Sequence, residues 1–140
     1  MAIASSVLVV ANRTADSPEL LDALRARTER GPVHFTLLAP ANTGREATTR
    51  QLEAALKAMR AVGLEVDGRI GDADPTGAVH DAWDPGEFDE VIVSTLPAQT
   101  SRWLSINLPQ RVAKLTGALV THVVASEVAP RSSAGPGEQA

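Results

Sequence analysis

Short apolar runs alternate along the chain with segments of helical periodicity. The clearest run, residues 7–11, is rich in valine, which predicts a strand covered on both faces, as in a parallel sheet. Four more strands are predicted at residues 33–39, 64–70, 91–94 and 119–124. Residues 64–70 alternate apolar and polar positions, so this third strand is predicted at an edge of the sheet.

Helix-starting residues separate these strands. The first helix is predicted from Ser17 and Pro18, a capping side chain followed by a proline near the first helical position, and it ends before Gly31. A short helix through Trp83 is predicted to have Asp74 as its cap.

The longest helix is predicted over residues 45–62, with Asn42 or Thr43 as its cap and Gly63 just past its end. Its buried face is predicted from the i, i+3, i+4, i+7 spacing of Leu52, Ala55, Leu56, Met59 and Val62. The last helix is predicted to open around Asn107, Leu108 and Pro109, after a long polar loop at residues 95–106.

Strands and helices that alternate in this way predict right-handed βαβ crossovers and a three-layer α/β/α sandwich. A chain of 140 residues is long enough for one such domain. We therefore expect one α/β domain over residues 1–128 and a disordered tail at residues 129–140, where Pro, Gly and Ser dominate.

Charge and composition exclude several classes of function. The net charge is −4 and the only lysines are Lys57 and Lys114, which argues against a nucleic-acid or anionic membrane surface. The absence of cysteine excludes disulfides, thiolate catalysis and cysteine zinc sites. The first residues lack a basic segment and a long apolar run, so we expect a cytoplasmic protein.

Polar side chains follow the first and fourth strands, where an open parallel sheet binds ligands. One side of the expected crevice carries Asn12, Arg13 and Thr14, and the other carries Ser94, Thr95, Ser101, Arg102 and Asn107. Hydroxyls, an amide and a guanidinium at a helix N-terminus can hold an anion such as a phosphate. The alternative is that these residues are caps and turn residues, with Arg102 solvated.

Other candidate sites are weaker. A divalent metal ion could be bound by a cluster of Asp72, Asp74, His80, Asp81, Asp84 and Asp89, although Asp74 is better explained as a helix cap.

His34 and His122 lie in predicted strands, and no nucleophile or base motif accompanies them, so we expect no enzyme. Trp83 and Trp103 could stack on a base, but we favour hydrophobic anchors.

Three stretches of the sequence carry a resemblance to a known family. With VVAN in the first strand, Gly71 after the third, and FDEVIV, SRWL and QRVAKLTGALVTHVV in residues 88–124, the chain resembles the universal stress proteins. The resemblance implies a five-stranded parallel sheet of order 3-2-1-4-5 and dimers paired through the last strand. In ATP-binding members, a loop with three spaced glycines and a Ser or Thr follows the fourth strand.

The sequence departs from the family pattern in that loop. Residues 94–107, STLPAQTSRWLSIN, contain no glycine, and Pro97 removes one N–H donor. The family's aspartate at the end of the first strand aligns with Asn12, whereas Gly71 matches. Together with the crevice residues, the resemblance makes the candidate ligand-binding set Asn12, Arg13, Pro40, Gly71, Thr95, Ser101, Arg102 and Asn107.

Two hypotheses follow from these observations. The first is a non-catalytic, cytoplasmic stress-response or regulatory module, a homodimer through residues 119–124, which has no cofactor and does not bind ATP in the usual geometry. The second is a binder of AMP, ATP or another small phosphorylated ligand, held between strands one and four. The glycine-free loop favours the first hypothesis, with a protein partner as a further possibility.

Overall fold

A five-stranded parallel sheet forms the centre of the protein. The computed structural model describes residues 4–42, 44–97 and 101–125, so the predicted tail at 129–140 lies outside the described residues. The strands are β1 (Ser5–Val10), β2 (Val33–Pro40), β3 (Val66–Gly71), β4 (Glu90–Thr95) and β5 (Leu119–Val124). Their order is β3-β2-β1-β4-β5, and all neighbours pair in parallel. The predicted order and the edge position of β3 are confirmed.

Helices connect successive strands. They are α1 (Pro18–Thr28), α2 (Arg45–Ala61), α3 (Pro75–Ala82), α4 (Arg102–Ser105) and α5 (Leu108–Thr116). The predicted caps of α1 and α3 are confirmed, since Ser17 accepts a hydrogen bond from the Leu20 amide and Asp74 accepts one from the Gly77 amide. No helix in the described ranges is long and apolar enough to cross a membrane.

Three details of the sequence prediction were wrong. The cap position of α2 is Gly44, which has a φ of 92° and no side chain, so Asn42 does not cap the helix; Thr43 lies outside the described residues. Val62 follows the last turn of α2 and is exposed rather than buried. The loop after β4 contains the short helix α4, whose first turn is capped by Ser101.

Two apolar cores lie on opposite faces of the sheet. On one face α1 and α2 pack against the sheet, with Leu24 and Met59 fully buried. On the other face α3, α4 and α5 bury Val79, Trp103 and Val112 against β1 and β4. Alternate residues of β1 therefore face different cores, which explains the uninterrupted apolar run from Val7 to Val10.

A buried ion pair joins the amino end of β4 to α1. The guanidinium of Arg27 donates two hydrogen bonds of 3.1 Å each to the carboxylate of Glu90. Both side chains are about nine-tenths buried. A lone charge at this depth is costly, so each residue depends on its partner.

Gly71 is a glycine for reasons of packing. A Cβ atom added there would lie 2.7 Å from Cβ of Ala78 on α3 and 3.0 Å from Cδ1 of Leu38 on β2. Real Cβ atoms essentially never approach another heavy atom within 3.0 Å. The glycine that matches the family pattern therefore lets α3 pack closely on the end of β3.

The substitution Gly71→Ala should destabilise the fold by about 1–3 kcal/mol, because α3 must move away from β3. Gly68→Ala on the same strand is the matched control. Its added Cβ meets only the ends of Leu52 and Leu56, which can rotate, so we expect a change within about 1 kcal/mol. Urea unfolding of both variants measures the difference, and equal stabilities would contradict the packing explanation.

Candidate functional site

A cavity of about 130 Å³ opens at the carboxyl ends of β1 and β4. The sheet order reverses between these two strands, and their following segments leave toward opposite faces. The cavity is lined by three groups of residues: Asn12, Arg13, Thr14 and Asn42 beside β1 and β2, Ser94, Thr95 and Leu96 at the end of β4, and Ser101, Arg102 and Trp103 at α4.

Asn12 is the most constrained polar group of the cavity. Its side-chain Nδ2 donates to the carbonyl oxygen of Pro40 at 2.7 Å and also donates to Oδ1 of Asn42. Both bonds need the amide nitrogen, so they set the orientation of the amide. Its Oδ1 atom is buried and has no hydrogen-bond partner among the described residues. Neighbouring atoms enclose this oxygen, so it is not an open acceptor of the cavity.

The hydroxyl groups of the cavity already have hydrogen-bond partners. Thr14 Oγ1 lies 2.6 Å from Ser94 Oγ, and Thr95 Oγ1 lies 2.8 Å from Nε2 of His122 on β5. Ser101 Oγ accepts from the Leu104 amide as the cap of α4. These bonds hold the wall of the cavity together, although Ser101 accepts in its bond and keeps its own hydroxyl hydrogen for donation.

Two guanidinium groups supply the charge of the cavity. Arg13 and Arg102 are exposed, and neither has a carboxylate within 4 Å in the described ranges. No Asp, Glu or His is among the described residues that line the cavity. The arrangement can therefore attract an anion, but the lining offers no carboxylate or imidazole for proton transfer.

Both tryptophans pack as anchors. Trp103 is buried in the same core as Leu108 and Val112, and one side of it lines the cavity. Trp83 stacks on Phe88, with ring centroids 6.0 Å apart. The bulk of Trp103 therefore attaches α4 to the sheet and limits the volume beside β4.

The structure brings most of the candidate residues together. Asn12, Arg13, Thr95, Ser101 and Arg102 line one cavity. The other candidates are outside its lining: Pro40 contributes only its carbonyl to Asn12, Gly71 packs against α3, and Asn107 starts α5 with a left-handed φ of 56°.

Sequence reasoning missed Asn42 and Leu96, which also line the cavity. Asn42 follows β2, and β2 pairs with β1, so its position at this end of the sheet is a signal that could have found it. Leu96 comes one residue after β4, but nothing in its residue type indicates a site.

The acidic residues considered for a metal have separate structural roles. Asp84 accepts from the Gly86 amide, Asp89 accepts from the Ser6 amide, and Asp74 caps α3. In the part of the chain that the structure describes, no group of three or more His, Asp or Glu side chains could hold a metal ion. His34 pairs with Asp67 of the neighbouring strand at 3.0 Å.

Comparison with known proteins gives a fold but no sequence relative. No protein-family model matches the chain, and no curated protein matches it. A universal stress protein crystallised in complex with cAMP has 16% sequence identity and a TM-score of 0.64, covering 88% of this chain and 98% of that one. A universal stress protein of Archaeoglobus fulgidus has 16% sequence identity and a TM-score of 0.58, and the match covers 86% of this chain and 94% of that one. The chain has the universal stress protein fold.

His122 should make stability depend on pH. Partial burial lowers its pKa below the usual 6.5 through desolvation of the charged form. The unfolded chain then binds a proton more readily than the folded chain, so stability falls as pH drops below about 6.5 toward the folded pKa. His122→Gln should lose less stability than the parent between pH 7.5 and 5.5, as measured by urea unfolding at both values.

The control for that experiment is His80→Gln, an exposed histidine on α3. Its pH dependence should follow the parent. If His122→Gln and the parent lose the same stability on acidification, burial of His122 does not contribute to the pH dependence.

Proposed function

We propose that this protein is a non-catalytic regulatory or stress-response module of the universal stress protein type, which dimerises through β5 and does not bind ATP in the usual geometry. The observation that carries the proposal is the construction of the cavity wall beside β4. There the chain has α4 and the buried Trp103, in a stretch of sequence, residues 94–107, without glycine.

The physical argument concerns how a phosphate chain is bound. Glycine allows a backbone to approach phosphates closely and to direct several N–H groups at them. Here Pro97 has no N–H group, and the Leu104 amide already donates to Ser101 Oγ. Among the described residues that follow β4, positions 97 and 104 therefore offer a triphosphate no free N–H group.

The lining of the cavity supports a non-catalytic role. Hydrolysis of a bound nucleotide needs a residue that orients or deprotonates water, usually with a metal ion. The described lining offers only amides, hydroxyls, apolar groups and two guanidinium groups. These groups can bind a ligand without converting it, which is what a regulatory module requires.

A second candidate function is binding of AMP, ATP or another small phosphorylated ligand between β1 and β4. Arg13 and Arg102 favour it because guanidinium groups pair well with phosphates. The structural neighbour solved with cAMP also supports it, since that protein shares this fold.

Thermal melts with ATP, ADP, AMP and cyclic AMP, each with and without magnesium, separate the two functions. We expect no shift with ATP at millimolar concentration. A ligand at 100 times its dissociation constant adds roughly 2.7 kcal/mol, which is on the order of 10 °C for this size of domain. A shift of that size with ATP, lost in Arg102→Gln but kept in Arg25→Gln, would replace the first function with the second.

The exposed edge of β5 supports the proposed dimer. Leu119 is 64% exposed and Val124 is 46% exposed, on a strand that pairs with β4 on its other side. An apolar edge strand with unpaired backbone groups is a template for pairing with another chain. Pairing with a second copy would cover both the backbone groups and the apolar side chains.

The double substitution Leu119→Lys and Val124→Lys should convert the dimer to a monomer, because like charges would meet across the paired edges. The matched control is Val62→Lys with Leu115→Lys, two helix-end residues that are 44% and 39% exposed. Sedimentation at micromolar concentration should give a dimer for the parent and control. A monomeric parent, or a dimer in both variants, would contradict the proposed interface.

A further inference from the structure

The open edge of β5 presents the backbone groups of alternate residues. The Ala125 amide donates to the carbonyl oxygen of Thr95 at 2.8 Å, and Thr95 is in register with Val124. In a parallel ladder this pattern means that odd-numbered residues of β5 bond to β4. The N–H and C=O groups of Val120, His122 and Val124 therefore point away from β4, where an additional strand could pair with them.

The other edge of the sheet is protected in ways that β5 is not. At β3 the guanidinium of Arg60 donates to the carbonyl oxygen of Val66, and Asp67 and Arg69 place charges along the strand. The sequence of β5, LVTHVV, has no charged side chain while its histidine is neutral. Charged side chains and covered carbonyls discourage strand addition, so a second copy is expected at β5 rather than at β3.

Two-fold symmetry restricts how a second copy can extend the sheet at β5. The two β5 strands then run antiparallel and keep each face of the sheet on one side, so one residue must lie opposite its own copy. With His122 at that position, Val120 of each copy lies opposite Val124 of the other, and every outward-facing residue can bond. A centre at Thr121 or Val123 would leave one of these valines opposite a residue beyond the end of β5.

The register with the most backbone bonds brings two imidazole groups together. Opposite residues that exchange both backbone bonds have Cα atoms about 5.5 Å apart, with their side chains on the same face of the sheet. Two neutral imidazoles are compatible with this distance. Two imidazolium groups are not, because like charges directly opposite each other destabilise a pair of strands.

The face of the sheet that carries His122 has no negative charge to offset an imidazolium. His122 lies on the same face as Val120, which packs in the core beneath α5, and its Nε2 lies 2.8 Å from Thr95 Oγ1. No carboxylate in the described ranges lies within 4 Å of this imidazole. The charged residues of α4 and α5 are all positive: Arg102, Arg111 and Lys114.

The other elements packed against β5 do not supply that charge either. The one acidic residue of β4, Glu90, is opposite Leu119 at the far end of the strand and is bonded to Arg27. The helix α1 lies across the other face of the sheet. Its charged residues are Glu19, Asp22, Arg25 and Arg27. Protonation of His122 therefore adds uncompensated charge to the edge of β5.

We propose that two copies of this chain pair antiparallel through β5 with His122 opposite His122 of the second copy, and that acidification dissociates this dimer. The inference rests on the dimer proposed above and adds its register and its control by pH. The imidazole pair at the two-fold axis is the pH-sensitive group.

The sign of the effect follows from proton binding. Desolvation by partial burial lowers the pKa of His122 below the ordinary 6.5 in the single chain, so the imidazole is neutral at pH 7.5. A dimer that disfavours the protonated imidazole binds fewer protons than two separate chains. Its dissociation constant therefore rises as the pH falls through the pKa of the separate chain.

Sedimentation equilibrium of the full chain at pH 7.5 and pH 5.0 measures this change. We expect the dissociation constant of the parent to rise at least about tenfold at pH 5.0. His122→Gln, which stays neutral, should dimerise equally at both pH values. The matched control His80→Gln, an exposed histidine on α3, should follow the parent. Circular dichroism at each pH shows whether every variant is folded.

The register can be tested separately, because the chain has no cysteine of its own. His122→Cys introduces a single thiol, and a Cα separation of about 5.5 Å lies within the range of disulfides. In the same register the two copies of residue 121 are offset by two positions, which places their Cα atoms more than ~7 Å apart. Under mild oxidation, His122→Cys should therefore form cross-linked dimers and Thr121→Cys should not.

The possible results distinguish this inference from the dimer on which it rests. A monomeric parent at pH 7.5 would reject both. A dimer whose dissociation constant is the same at pH 5.0, or rises equally in His122→Gln, would overturn only the inference. Cross-linking of Thr121→Cys in preference to His122→Cys would also overturn it, since the two histidines would then not be opposite each other.

Discussion

The pairing of β1 with β4 is the constraint on which the rest of the structure depends. The two strands lie side by side at the centre of the sheet, in register from Val7 opposite Glu90 to Val10 opposite Val93. After β1 the chain turns toward the face covered by α1, and after β4 it turns toward the face covered by α4 and α5. Since the two segments diverge, a gap remains between them at the carboxyl edge, and this gap is the cavity.

The described lining of that gap combines amide, hydroxyl, guanidinium and apolar side chains. After β4 this chain has the short helix α4 and the buried indole of Trp103. Polar side chains of the same lining include Asn12 and the two exposed arginines, Arg13 and Arg102.

Much of the fold could be predicted because its signals are local. The caps Ser17 and Asp74 act on amides three residues away, and the apolar run of β1 reflects its two covered faces. The helix α4 was missed because its four residues are too few to show a helical period. The one local signal for α4 is its capping residue Ser101, and a serine is equally common in turns, so it did not indicate a helix.

The site was predictable only in part. The crevice residues that follow β1 and β4 could be placed because parallel strands end at one edge. The bond between Asn12 and Asn42 depends on how two loops approach each other 30 residues apart, and the Arg27–Glu90 pair spans 63 residues. Gly71 shows that a residue matching the family pattern can have a packing role, because its missing Cβ lets Ala78 of α3 approach.

The central position of β1 has a consequence for the chain as it is synthesised. Ser6 on β1 bonds to Asp89 beside β4, 83 residues later in the sequence. At a translation rate of ~5–20 residues per second, β1 is synthesised roughly 4–17 seconds before β4. During that interval β2 is the only native neighbour available to β1. The nascent chain therefore exposes one edge of its future core, the kind of surface to which ribosome-associated chaperones bind.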